Sequence, residues 1–319
     1  MSGLWKLRFS MFGTLSVIIG LSTLFFAGIL YMTNINFMLL PFIIVAFNIG
    51  QWLFAPYLID AMYRVKEVAR SDNPELYETV ERLSRKSRIK MPKVMLAKIS
   101  LPNAFAYGSP VAGSRMAVTN GLLETLDADE VEAVIGHELG HLKHKDVQVM
   151  MFVSLLPALF YAIGLSMLFS SRTGRGERSG GAAIIGLGSI ILYWVLTLFT
   201  LYLSRLREYY ADRHSATIVE DGPRKLSEGL AKIVHSTRNL KKHRRGSGGS
   251  SSFKSLFIAD PDRAGLDAKS LGQAGLHSTD QKLVEDVLGR RTTTLDMVVE
   301  LFSTHPNIVK RLKALQALA

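Results

Sequence analysis

The chain contains no cysteine. Disulfides, thiol nucleophiles, redox pairs and cysteine-based metal sites are therefore excluded, and any metal must be held by His, Asp or Glu. Charge is missing from long stretches as well. No Asp, Glu, Lys or Arg occurs from Phe9 to Ile59, from Val147 to Ser170, or from Gly181 to Ser204. There is no internal repeat and no glycine-rich loop of the kind that cradles phosphate. Apolar residues are abundant instead, 48% of 319, which is too many for an ordinary soluble enzyme of this length. A formal net charge of +11 suits nucleic acid, an anionic membrane surface, or the basic loops of a membrane protein.

The uncharged runs point to the last of these. Thr33–Asn36 and Pro41 interrupt the first run. This predicts two spans, Ser10–Met32 and Phe37–Leu58, each close to the ~20 residues a bilayer requires. A cleaved signal peptide fits poorly, because the apolar stretch is too long and a second follows at once. Val147–Ser170 and Gly181–Ser204 predict a third and a fourth span joined by a short polar loop; two buried soluble helices would not need so complete a lack of charge. The expected organisation is a helical hairpin over 1–60, one half of a soluble domain over 61–146, a second pair of spans over 147–204, and the other half of the domain over 205–319.

Within the soluble parts, Asp72 or Asn73 can cap a helix with Pro74 in its first turn and Leu76, Val80 and Leu83 on one face. "KVMLA" from Lys93 and "RMAVTNG" from Arg115 read as short strands, and "LPNAFAYG" between them as extended. Asp127 with Glu130 resembles a capping box, opening a helix expected to run uninterrupted into the third span. That helix carries "HELGH". His137 and His141 are four apart, so both imidazoles project from one face and can share one metal ion. Glu138 sits one residue round, within reach of a water on that metal. This is the H-E-x-x-H arrangement, in which the glutamate takes the proton of a water activated for attack on a carbonyl.

A third ligand is needed. His144 is a weak candidate, since a histidine in the basic run "KHKD" is more often solvated. "SRLREYYADRHSA" follows the fourth span. There Glu208 could complete a His2Glu set, and Asp212, four residues on, could accept the free ring N–H of a ligating histidine. The competing reading is a solvated face pairing these acids with Arg205, Arg207 or Arg213. Two spans separate His141 from Glu208, so both halves of such a site return to the same side of the membrane. Only Arg172, Arg175 and Arg178 among the 38 basic residues fall in the loop on the other side. That asymmetry predicts that the site and both termini are cytoplasmic, and it accounts for the net charge without nucleic acid.

Four spans, "HELGH" just before the third, and "SRLREYYADRHSA" just after the fourth resemble the HtpX family of membrane zinc metalloproteases, the M48 group related to the CAAX-processing Ste24 proteases. The resemblance covers nearly the whole chain. It implies a mainly α fold with a small β-sheet, in which four transmembrane helices carry a cytoplasmic zincin-type (gluzincin) catalytic domain. It implies one Zn2+ per chain on His137, His141 and Glu208, with Glu138 as general base. It implies that Asn103, Ala104, Phe105 and Ala106 line the cleft, where a substrate adds as a strand. His305 and Arg311, from "STHPNIVKRLKAL", would lie near the metal and stabilise an oxyanion or orient another group; as ordinary residues they would be a capping neighbour and a packing arginine. The implied activity is endoproteolysis of membrane or misfolded proteins in quality control, with the lipid bilayer as environment. A processing protease of narrow, CAAX-type specificity and a non-catalytic adaptor with a structural metal are the alternatives. Retention of Glu138 speaks against the adaptor. The basic, Gly/Ser-rich stretch from Thr237 reads as a linker, open to self-cleavage, and Asp260–Thr294 as a polar helical region over the cleft. A homo-oligomer also stays open.

Overall fold

The structure, a computed structural model, describes residues 39–173, 178–243, 280–289 and 293–319. The predicted span Ser10–Met32 lies outside these residues, as do most of Asp260–Thr294 and the Gly/Ser-rich part of the linker. In chain order the described elements begin with α1 (Leu40–Tyr63), β1 (Val65–Glu67), α2 (Pro74–Ser87), β2 (Lys93–Ala97), β3 (Ala104–Ser109), β4 (Gly113–Thr119) and α3 (Asn120–Thr125). They continue with α4 (Ala128–Lys143), α5 (Asp146–Thr173), α6 (Arg178–Ile218), α7 (Gly222–His243), α8 (Asp280–Leu288), α9 (Thr294–Leu301) and α10 (Ile308–Gln316).

Three described helices are long and apolar enough to cross a membrane: Phe42–Tyr63 in α1, Asp146–Leu168 in α5 and Ala183–Ile218 in α6. Their outward residues are large and apolar, among them Phe42, Phe152, Ile184 and Phe199. Such surfaces suit lipid and not water. α6 has 41 residues. At 1.5 Å per residue it is about 60 Å long, roughly twice the hydrocarbon thickness of a bilayer. Its uncharged stretch, Gly181–Ser204, is long enough to cross, and the charged last third from Arg205 to Ile218 continues the same helix.

The chain divides into two compact units. One holds the apolar helical segments up to Trp52 and over Gln148–Tyr202. Within it α5 and α6 approach closely at Gly164 and Gly186, where an added Cβ would come within 3.0 Å of backbone oxygen on the facing helix. The other unit, Leu53–Val147 with Leu203–Ala319, contains the sheet and the remaining helices.

The sheet has the order β1-β2-β4-β3. β2 and β4 are parallel, and the two outer pairings are antiparallel, so β3 is an edge strand. Strand residues alternate between faces. Val94, Ala104, Met116 and Val118 join a core with Val131, Val134, Ile135 and Leu139 of α4 and the apolar faces of α2, α7 and α10. Met95, Ala97, Phe105, Tyr107 and Ala117 form a second core on the opposite face with Ile59 and Val65. α2 is capped by Asn73, whose Oδ1 accepts from Leu76 N–H at 3.1 Å, and Leu76, Val80 and Leu83 are buried as their spacing predicts.

Two expectations need correction. The HELGH helix does not run on into the next span. α4 stops at Lys143, Lys145 takes a left-handed conformation (φ 55°), and α5 starts afresh at Asp146. Such a conformation costs a non-glycine residue roughly 1–2 kcal/mol, and the reversal turns Asp146 back toward the site, as described below. The linker also begins later than expected, because α7 continues through the basic residues to His243. Glu208 and Asp212 lie on the continuation of α6 beyond its uncharged run.

Candidate metal centre

α4 and α6 cross at small residues. A Cβ on Gly136 would sit 3.0 Å from Ser215 Oγ and Val219 Cγ2, and one on Gly140 would sit 3.0 Å from Ala211 Cα. Ser215 Oγ also donates to the Ala133 carbonyl at 2.6 Å. The two glycines bracket His137 and Glu138, so the close crossing brings the acids of α6 onto the histidine face of α4.

His137 Nε2 and His141 Nε2 lie 3.2 Å apart. The Glu208 carboxylate faces both, with Oε2 3.6 Å from His137 Nε2 and Oε1 3.5 Å from His141 Nε2. Each ring has an acid behind it: His137 Nδ1 lies 2.9 Å from Asp212 Oδ1, and His141 Nδ1 lies 2.6 Å from Asp146 Oδ2. An acid at Nδ1 keeps the ring proton there and leaves the Nε2 lone pair bare. With both Nε2 atoms deprotonated, lone pairs at this separation repel unless a cation, a proton or a metal ion, lies between them. Glu208 Oε2 is buried and makes no well-aligned hydrogen bond, its cationic neighbour being Arg311 Nη1 at 3.2 Å.

Charge gives a second test of fit. Glu138, Glu208, Asp212 and Asp146 are all buried. Arg311 reaches Asp212 through Nε at 2.9 Å and Nη2 at 2.6 Å, and Glu208 through Nη1 at 3.2 Å. Arg207 Nε lies 3.1 Å from Asp146. Four ionised carboxylates against two guanidiniums leave two negative charges once the His137 proton is displaced, the complement of one divalent cation. The residues fit a metal of the His/carboxylate class.

Burial opposes a charge on His137, but Asp212 and Glu208 override it and hold its pKa at about 9. Burial also opposes ionisation of Glu208, yet His305, His137 and Arg311 keep its carboxyl well below the usual range. Asp212 is lowered too, Arg311 and His137 outweighing burial. Glu138 goes the other way: burial raises its pKa despite the nearby His141 and His137.

Glu138 also lies close to the histidines, its ligand atom within 4.8 Å of theirs. It differs from Glu208 in that its Oε2 already accepts the Ala106 N–H at 2.8 Å. Asn103, Ala104 and Phe105 are buried, and the Phe105 ring turns to the opposite face of the sheet. What β3 offers at its edge is main chain. Thr119 N–H donates to the Asn103 carbonyl at 3.0 Å, so alternation commits Phe105, Tyr107 and Ser109 to the ladder and points the main-chain groups of Ala104, Ala106 and Gly108 outward.

His305 enters from the loop before α10, with Nε2 3.8 Å from Glu208 Oε1. Arg205 Nη1 holds that loop through the carbonyls of Glu300 at 2.7 Å and Ser303 at 2.9 Å. His144 is not brought in. It caps α4 and stacks edge-on to His214 at 5.9 Å. A second acidic group, Asp127, Glu130 and Asp280, surrounds Lys232 Nζ at 2.9–3.1 Å, so the ammonium takes the place a metal cation would need. Asp146 is not singled out by the sequence, and Arg205 and Arg207 are read there only as solvated partners of Glu208 and Asp212; the structure instead pairs Arg207 with Asp146 and Arg205 with the loop before α10. Asp146 is five residues past His141, off its helical face, and only the break at Lys145 returns it.

The chain is similar to several known proteins. A protein described as "Protease HtpX homolog" from Aeropyrum pernix is 42% identical over 293 residues, 90% of this chain and 88% of that protein. One of the same description from Thermoplasma acidophilum is 36% identical over 304 residues, 91% and 90% of the two chains. The crystal structure of S. mikatae Ste24p resembles it in fold, with a TM-score of 0.55 at 15% identity, covering 99% of this chain and 67% of that one. Residues 70–319 match the family described as Peptidase family M48. On both the extent of that match and the identity to these relatives, the chain belongs to peptidase family M48.

Proposed function

We propose that the protein is a membrane-anchored zinc endopeptidase acting at the cytoplasmic face on membrane and misfolded proteins. The observation that carries this is the convergence of His137, His141 and Glu208 beside a buried Glu138 that is tied to the edge strand. His137, His141 and Glu208 would hold one zinc, the usual occupant of a His2Glu set. Zinc, when bound, supplies a Lewis acid and lowers the pKa of water.

The chain's own residues do the rest. A peptide pairs with the outward main chain of β3 at Ala104 and Gly108, so affinity comes from backbone hydrogen bonds and side-chain selectivity is low. Low selectivity suits a quality-control substrate. Glu138, its pKa raised by burial, takes a proton from water and returns it to the leaving amine, with Ala106 N–H fixing its carboxylate. His305 donates to the developing oxyanion. Arg311 is a positioning residue: it is fully engaged by Asp212 and Glu208 and does not face substrate. The cytoplasmic side follows from the basic residues flanking the spans.

Metal content and cleavage of an unfolded polypeptide test this together. Wild type is expected to hold about one zinc per chain, Glu208→Ala to lose it, and Glu138→Gln to keep zinc while losing cleavage. Full zinc in Glu208→Ala, or undiminished cleavage by Glu138→Gln, would overturn the assignment.

A further inference from the structure

The turn between β3 and β4 carries no charge from Ser109 to Ser114, and Pro110 and Val111 at its tip are exposed, Val111 by 61%. An exposed apolar tip is costly in water. Its neighbours place it elsewhere. Asp60 is the first charge after the long uncharged run, and it accepts from Tyr107 Oη at 2.6 Å and from Arg115. Arg115 also lies over the Tyr57 ring, 5.1 Å from its centroid. Two residues along β3 from Tyr107, Ser109 Oγ donates to the Leu53 carbonyl at 2.9 Å. Leu53 lies inside the uncharged run, about 10 Å along α1 from Asp60. The hairpin therefore runs beside α1 from its charged end toward its apolar part, with its own first charge, Arg115, at the level of Asp60.

α9 shows the same pattern from a different part of the chain. Its last carbonyls are held by Arg205, one residue past the uncharged run of α6. Met297, Val298 and Leu301 on α9 are nevertheless exposed. Both apolar patches are thus fastened beside the first charged residue that ends an uncharged run, Asp60 on α1 and Arg205 on α6.

We infer that the catalytic unit rests in the lipid surface through the β3–β4 tip and α9, so that the edge of β3 leads a polypeptide directly from the bilayer to the site. Bilayer lipid is the partner that fits, because the β3–β4 tip carries no charge, and on α9 Asp296 is bound back to Thr293 and Glu300 to Lys310, which leaves Met297, Val298 and Leu301 as its exposed apolar residues. From Ser109 to Ala106 is three residues, or ~10 Å of strand. A chain paired with β3 is accordingly presented within a few residues of where it leaves the membrane. The substrate class is a polypeptide segment adjoining a membrane span. This delivery rests on the peptidase reading above; the lipid contact does not.

The absence of cysteine makes the test clean. Val111→Cys, Met297→Cys and Leu301→Cys each give one site for a spin label in the full chain, reconstituted in phosphatidylcholine–phosphatidylglycerol vesicles. Phe199→Cys on the apolar half of α6 serves as the lipid reference and Glu75→Cys on α2 as the water reference. Labels at 111, 297 and 301 are expected to follow 199, relaxed by oxygen and not by a water-soluble nickel chelate. Behaviour like 75 would overturn the inference. So would spin–spin broadening that dilution with unlabelled chain removes, which would mean that a second copy covers these patches. For delivery, Val111→Glu is expected to slow cleavage of a membrane-anchored substrate several-fold more than that of a soluble unfolded one. An equal effect on both would remove the delivery role and leave the lipid contact standing. Absence of any cleavage by wild type would remove the peptidase reading and leave the label result untouched.

Discussion

Asp146 and Asp212 stand behind the two histidines in the same way, yet they come from different elements and cost different amounts to hold. Asp146 orients His141 from the first residue of α5. Asp146→Asn is expected to keep the fold and weaken zinc binding by about 10–100-fold, measured by competition with a chromogenic chelator. Asp212 is buried together with Arg311, and Arg311 compensates both it and Glu208. Removing one partner of such a pair leaves uncompensated buried charge, a loss of roughly 3–5 kcal/mol. Arg311→Met is therefore expected to destabilise the metal-free protein by that order in denaturant unfolding. Arg311→Lys is expected to rescue little, because an ammonium cannot reproduce the forked contact with Asp212. His137 adds a pH signature. Its pKa in the folded, metal-free protein is raised from 6.5 to about 9. Its contacts with Asp212 and Glu208 are then fully stabilising below pH 6.5 and lost as pH rises through about 9. Metal entry must displace that proton, so zinc affinity is expected to climb with pH up to about 9, with a proton released per zinc at neutral pH. Calorimetry in buffers of different protonation enthalpy reads that number directly; no buffer dependence would contradict it.

At the scale of elements, the decisive contact is between α4 and α6. Gly140 faces main chain, Ala211 Cα, whereas Gly136 faces the side chains of Ser215 and Val219, which can adjust. Gly140→Ala is expected to cost more than Gly136→Ala, about 1–3 kcal/mol, and to lower zinc affinity because it pushes Glu208 off the histidines. Thermal unfolding and zinc titration of the two variants check the order. Much of this level was legible in sequence. The capping signal at Asp72 or Asn73, the strands read from Lys93 and Arg115 (the second begins at Gly113 and ends at Thr119, before the helical Asn120), and the apolar stripe of α10 depend on short-range patterns that local physics enforces. The break at Lys145 was not legible, because nothing in "HLKHKDVQ" forbids a continuous helix. The turn is selected by a distant gain, the approach of Asp146 to His141 and Arg207. The start of the linker was misread for a related reason: a basic, polar run carries no helix signal of its own, and α7 extends because Leu226, Leu230, Ile233 and Val234 already anchor it.

At the scale of the whole molecule, the centre ties together α4, α6 and the loop before α10, segments far apart in sequence. A metal bound there stabilises the folded state by mass action, about 4 kcal/mol at a thousandfold excess over Kd. Chelation is expected to lower the unfolding temperature of the catalytic unit reversibly, with zinc restoring it; an unchanged melting curve would mean that the metal is not part of that fabric. The amino-acid sequence by itself determined the apolar helices, the His137–Glu138–His141 triplet and the acids that could complete it. Uncharged length, helical spacing and residue chemistry are local properties, readable without coordinates. Only the tertiary structure decided that Arg311 serves Glu208 and Asp212, that Asp146 and not His144 joins the site, and that β3 offers main chain while Phe105 faces away. Those outcomes depend on which faces meet across hundreds of residues, and burial forces each charge brought there to find its partner from whatever element is near.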